Sequence, residues 1–146
     1  MQRVLQQSLA QLYLDDETAW LDEMACLVAE RRLQDLDCEH LSEFLADMAR
    51  RDRREVLSRL TTLLVHLLKW EHQPEQRTNS WRATIAAQRN ELKDLLESGT
   101  LRKYAEEVLA KAYERAAVQA ALETGLDEEV FPDTCPFALG AALAEE

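Results

Sequence analysis

The feature that most constrains this chain is one set of apolar residues, Val56, Leu57, Leu60, Leu63, Leu64, Leu67 and Leu68, with Pro74 shortly after it. At roughly 100° per residue all seven fall within a single arc of an α-helix, so the segment reads as a helix with a broad face to bury. Pro74 forces that helix to end nearby. The chain is 47% apolar and 31% charged, with three Gly and three Pro, a balance that suits packed helices and argues against disorder.

The other segments read the same way, and none shows sustained strand alternation. A helix is expected after Asp15 or Asp16, with Trp20, Met24, Leu27 and Val28 on one face; residues 1–12 form an extra turn or two before it. After the loop QDLD, Asp37 caps a helix with Leu41, Phe44, Leu45 and Met48 in register, running on through RRDRRE to about residue 72. Thr78, Asn79 and Ser80 are candidate caps for the next helix, which turns Trp81, Ile85, Leu92, Leu95 and Leu96 inward and is expected to stop at Gly99. Thr100 then caps a long helix to about Thr124, buried along Leu101, Tyr104, Ala105, Val108, Leu109, Ala112 and Ala116 and ended by Gly125. Pro136 is placed as the first residue of a short terminal helix with Phe137, Leu139 and Leu143. The expectation is an all-α antiparallel bundle of four main helices with short extra helices at the termini, one domain over residues 1–146.

No apolar run approaches the ~20 residues of a membrane span, and the N-terminus lacks a signal-peptide pattern, so a cytoplasmic protein without a membrane partner is expected. Cys26, Cys38 and Cys135 are dispersed and odd in number, which implies reduced thiols and neither a disulfide framework nor a structural zinc. The net charge of −11 is unevenly spread. Residues 1–49 hold 3 basic and 11 acidic side chains, residues 50–115 hold 14 and 10, and residues 116–146 hold none and 7. Asp47, Asp52 and Glu55 lie within helical reach of Arg50, Arg51, Arg53 and Arg54, so internal pairing is the simpler account of the basic centre, and nucleic acid is disfavoured as a partner.

No motif names a reaction, and no cofactor is implied. Three constellations carry candidate chemistry. Arg59, His66 and Trp70 share one border of the leucine arc; an imidazole beside a guanidinium suits phosphodiester chemistry, and the Arg-x6-His spacing resembles the HEPN (higher eukaryote and prokaryote nucleotide-binding) helical RNases. The competing reading is packing, with His66 on Trp70 and Arg59 paired to Glu55. His40, Glu43 and Asp47 have spacing that suits a divalent ion, but they lie on the polar face of one helix, and salt bridges to Arg50 and Arg51 explain them without metal. Ser80, Trp81 and Arg82, with Gln88 and Arg89 one to two turns on, form a candidate anion site at a helix start, against the alternative of a cap and a core tryptophan. Cys135, before Pro136, has no histidine near it in sequence and is given no role as a nucleophile.

HLLKWEHQP followed by SWRATIAAQR, with DLDCEHLSEFL upstream and Tyr113 and FPDTCPF downstream, resembles the bacterial domain-of-unknown-function family 29 over about residues 11–140. That resemblance implies an all-helical protein and puts His66, Trp70, Pro74, Ser80, Trp81 and Arg89 on recurrent positions. Where relatives commonly read like LxEEIExLG, this chain keeps one of three carboxylates and lacks the glycine, which counts against carboxylate-based metal chemistry. The leading expectation is a non-enzymatic module binding a protein partner, or a second copy of itself, through Trp70, Ser80, Trp81, Arg82 and Arg89. The rivals are a metal-independent phosphodiesterase using His66 and Arg59, and small-anion or nucleotide binding near Ser80.

Overall fold

A computed structural model describes residues 2–145, with side chains from residue 8 onward. It is an all-α bundle: α1 (Gln2–Asp15), α2 (Glu17–Ala29), α3 (Cys38–His72), α4 (Asn79–Leu95), α5 (Gly99–Thr124) and α6 (Leu139–Leu143), with no strand among the described residues. Among the described residues no helix is long and apolar enough to cross a membrane. The chain divides into two compact units, Met1–Arg50 and Arg51–Glu146, and α3 contributes to each.

In the first unit Leu9, Trp20, Met24 and Leu27 form the buried core, with Leu12, Tyr13, Leu21, Leu36, Leu41 and Phe44 packed against it. The N-terminal segment forms a full 14-residue helix, longer than its expected turn or two. Asp16 caps α2 through Ala19 N–H. Trp20 is fully buried, and its indole Nε1–H needs an acceptor there; Asp37 supplies one at 3.2 Å. The same carboxylate accepts from His40 Nδ1 at 2.7 Å and from His40 N–H at 3.4 Å, which starts α3 against α2. Tyr13 stacks on the His40 ring, centroids 4.5 Å apart, and meets Trp20 edge-on.

The end of α2 uses an unexpected residue. Arg31 has φ 58, and Arg32 N–H closes back on the Leu27 carbonyl at 2.9 Å, the bond that terminates a helix through a left-handed residue. A side chain at that φ is strained.

In the second unit the leucine arc is buried as expected: Val56, Leu60, Leu63, Leu64, Leu67 and Leu68 face the core, joined by Val65, while Leu57 is half-buried. Ile85, Leu92 and Leu96 oppose it, and α5 adds Leu101, Tyr113 and a run of buried alanines, Ala105, Ala112, Ala116, Ala117 and Ala120. Lys69 meets Trp81, while Arg59 meets Gln88 and Glu91; the partner number falls along α4 as it rises along α3, so the two are antiparallel. Three expected boundaries are corrected. Ser98, not Thr100, caps α5 by accepting from Leu101 N–H, and Gly99 is its first residue; the α4 end at Leu96 needs no glycine because its φ of −82 is right-handed. Pro136 does not open α6, which begins at Leu139 after an extended Ala138. Gly125, at φ 75, ends α5 as expected.

Replacing Arg31 with Gly is expected to stabilise the protein by about 0.5–1 kcal/mol, since glycine adopts this backbone without steric cost. An upward shift of the urea unfolding midpoint checks this. Asp37→Ala leaves the buried indole N–H without its acceptor and is expected to cost about 1–3 kcal/mol, read from the same titration.

Candidate functional site

The α3–α4 junction gathers most of the residues singled out in the sequence, and it does so through intramolecular contacts. Pro74 opens a short 3-10 turn over Pro74–Gln76, and Thr78, extended at ψ 162, caps α4 by accepting from Trp81 N–H at 3.1 Å. Thr78 is therefore the cap, and Ser80 lies exposed inside the first turn. Trp70 is half-buried. The Arg77 guanidinium lies 4.6 Å from its ring centroid and Arg82 5.6 Å, and Arg77 Nε donates to the Trp70 carbonyl at 2.8 Å.

Lys69, only 8% exposed, sits 4.6 Å from the Trp81 ring centroid and 3.7 Å from Glu123 Oε1. Arg89 Nε donates to the Ala142 carbonyl at 2.9 Å and ties α4 to α6. Between these contacts lies a cleft of about 360 Å³ lined by Leu67, Trp70, Arg82, Ile85, Arg89 and Glu145, with Ala86 at its side. Of the five candidate binding residues, Trp70, Arg82 and Arg89 share this cleft; Trp81 is packed under Lys69, and Ser80 is outside it. Sequence reasoning does not find Lys69, because it lies about 100° outside the leucine arc on a helical wheel and is buried by its contacts with Trp81 and Glu123.

Arg59 and His66 are engaged separately. Arg59 Nε donates to Glu55 at 2.9 Å and Nη1 to Gln88 at 3.2 Å, with Glu91 at 3.8 Å, so its charge is directed toward α4. His66 Nδ1 lies 2.9 Å from the Thr62 carbonyl, which only accepts, so Nδ1 is the donor, and in the neutral ring Nε2 holds the lone pair. The ring borders a different and larger groove, about 580 Å³, between α3 and α5, whose lining includes Arg54, Arg115, Gln119 and Glu123 but not Arg59.

The His40, Glu43 and Asp47 set is also separated. His40, expected at the solvent, is half-buried on Asp37 and Tyr13, whereas Glu43 and Asp47 are exposed and Asp47 pairs with Arg50 at 2.9 Å. Among the described residues no three His, Cys, Asp or Glu side chains converge to hold a metal ion. Burial pushes the Cys135 thiol up from its ordinary range, and Sγ donates to the Phe137 carbonyl at 3.2 Å. Burial does the same to Tyr113, whose hydroxyl donates to the Pro132 carbonyl.

A third surface lies on the first unit. Leu21, Met24, Ala25, Val28, Ala29, Leu41, Phe44 and Leu45 line an open groove of about 470 Å³ between α2 and α3 with no polar side chain among them. Val28 is 49% exposed and Leu45 60%, and Leu33 and Met48 are exposed on the same unit. The signal is present in the sequence as apolar positions exceeding what a single buried stripe uses: Val28 shares a face with Trp20, Met24 and Leu27, and Leu45 and Met48 follow the spacing of Leu41 and Phe44.

The family model described as Domain of unknown function DUF29 matches residues 12–146. No curated protein and no solved structure matches the chain.

The corrected cap yields a direct comparison. Thr78→Ala is expected to cost about 1 kcal/mol, and Ser80→Ala less than about 0.5 kcal/mol, in chemical unfolding. Equal losses would restore Ser80 to the capping role.

Proposed function

We propose, from the premise that the chain belongs to the DUF29 family, that it is a non-enzymatic interaction module which takes a basic amphipathic helix of a partner protein into the α2–α3 groove of its first unit. One observation carries this reading: a continuous, wholly apolar groove left open beside an otherwise buried core. Two helices presenting side chains at three- and four-residue steps make the geometry into which a third helix packs, and helix-in-groove recognition uses such a seat. Burying Val28 and Leu45 contributes about 1–2 kcal/mol each on docking.

Charge selects the occupant. With 11 acidic and 3 basic side chains in residues 1–49, two copies meeting face to face would juxtapose like charge, whereas a basic helix is drawn in. The junction residues fit a supporting role, since Trp70, Trp81, Arg82 and Arg89 are each held by contacts within the chain.

A fluorescent basic amphipathic helical peptide is expected to bind the full chain in anisotropy titrations, and its acidic counterpart of equal hydrophobicity to fail. Leu45→Glu, at an exposed position that leaves the core intact, should weaken binding by about tenfold or more. Equal affinity for both peptides, or no effect of Leu45→Glu, contradicts the reading.

A further inference from the structure

The groove between α3 and α5 is separate from the proposed partner surface and has a chemical polarity of its own. Arg54 and Arg115 line it, both exposed, and neither has a hydrogen bond or ion pair among the described residues. Two unspent guanidiniums at one cavity present a fork of donors suited to phosphate oxygens.

The remaining polar wall is rich in acceptors. The Thr61 and Thr62 hydroxyls donate to the Leu57 and Ser58 carbonyls at 2.8 and 3.1 Å, which leaves their oxygens with lone pairs only. His66 Nδ1 is spent on Thr62, so Nε2, on the side of the ring away from the helix backbone, accepts as well. Glu123, two turns beyond Arg115, adds a carboxylate whose charge is offset by Lys69 at 3.7 Å. Leu57 and Val65 give an apolar floor. The groove follows α3 for roughly 18 Å from Arg54 to His66, and its volume of about 580 Å³ falls in the range of small-ligand sites.

We propose that this groove binds a small phosphate ester bearing hydroxyl donors, with the phosphate on Arg54 and Arg115 and the hydroxyls on His66 Nε2 and its acceptor neighbours. A nucleoside monophosphate and a sugar phosphate share this chemistry. Inorganic phosphate lacks the body that reaches His66, and a nucleoside lacks the charge.

The test uses the full chain, with calorimetric titration of AMP, ribose 5-phosphate, adenosine and inorganic phosphate, and the His66 ring resonances followed by NMR. At least one ester is expected to bind and to shift His66, while adenosine and inorganic phosphate bind about tenfold or more weakly. Binding of AMP alone identifies the base as part of the ligand, and binding of ribose 5-phosphate alone or of both identifies the phosphorylated sugar. Arg115→Gln should weaken the ester by about tenfold, whereas Arg102→Gln, the same charge change on an exposed arginine outside the groove, should leave it unchanged. The proposal is overturned if neither ester moves His66, if inorganic phosphate binds as tightly as the esters, or if Arg102→Gln weakens binding as much as Arg115→Gln.

Discussion

Helix α3 has to bury different side chains along its length, and that constraint organises both cores. Its first turns lend Leu41 and Phe44 to the core built on Trp20, and its later turns carry the leucine seam that meets α4 and α5. Between them lie Leu45 and Met48, 60% and 38% exposed, and the charged run from Arg50 to Glu55. No proline or glycine interrupts the 35 residues of α3. Leu45, left outside both cores, lines the open α2–α3 groove together with Val28 of α2.

A single carboxylate fixes the start of that helix. Asp37, its side chain 10% exposed, satisfies the Trp20 indole, orients the His40 ring and caps the first turn. An unpaired indole N–H at a fully buried position would cost more than most surface interactions in this chain return. The stack of Tyr13 on His40 and the edge contact of Tyr13 on Trp20 then join α1 to the same node. His40, whose spacing with Glu43 and Asp47 suits a metal ligand, is instead packed on Tyr13 and tied to the half-buried Asp37.

The helices and most of the core were legible because their signals are periodic: the arc from Val56 to Leu68, the caps at Asp16 and Asp37, and Gly125 at φ 75. Helix caps are less legible where several residues of similar chemistry stand side by side. Thr78, Asn79 and Ser80 all suit a cap, as do Ser98 and Thr100, and the choice depends on where the chain leaves its extended conformation, which composition does not encode. The sites were less legible. Arg59 and His66 lie within about 20° on a helical wheel, yet their side chains serve opposite neighbours, α4 for one and the α5 groove for the other, and only the tertiary placement of α4 and α5 decides this. The two grooves are formed by pairs of helices, so no segment read alone contained them.

The central claim is that the α2–α3 groove is the partner surface, and site-specific photocrosslinking tests it most directly. A photoreactive side chain placed at Leu45, in the groove, is compared in cells with one at Ala86, in the junction cleft, and the captured peptides are sequenced. The account predicts an adduct from position 45 that maps to a basic segment with apolar residues at three- and four-residue spacing, and no comparable adduct from position 86. An adduct from position 86 alone, or an acidic or non-helical segment captured at position 45, would contradict it.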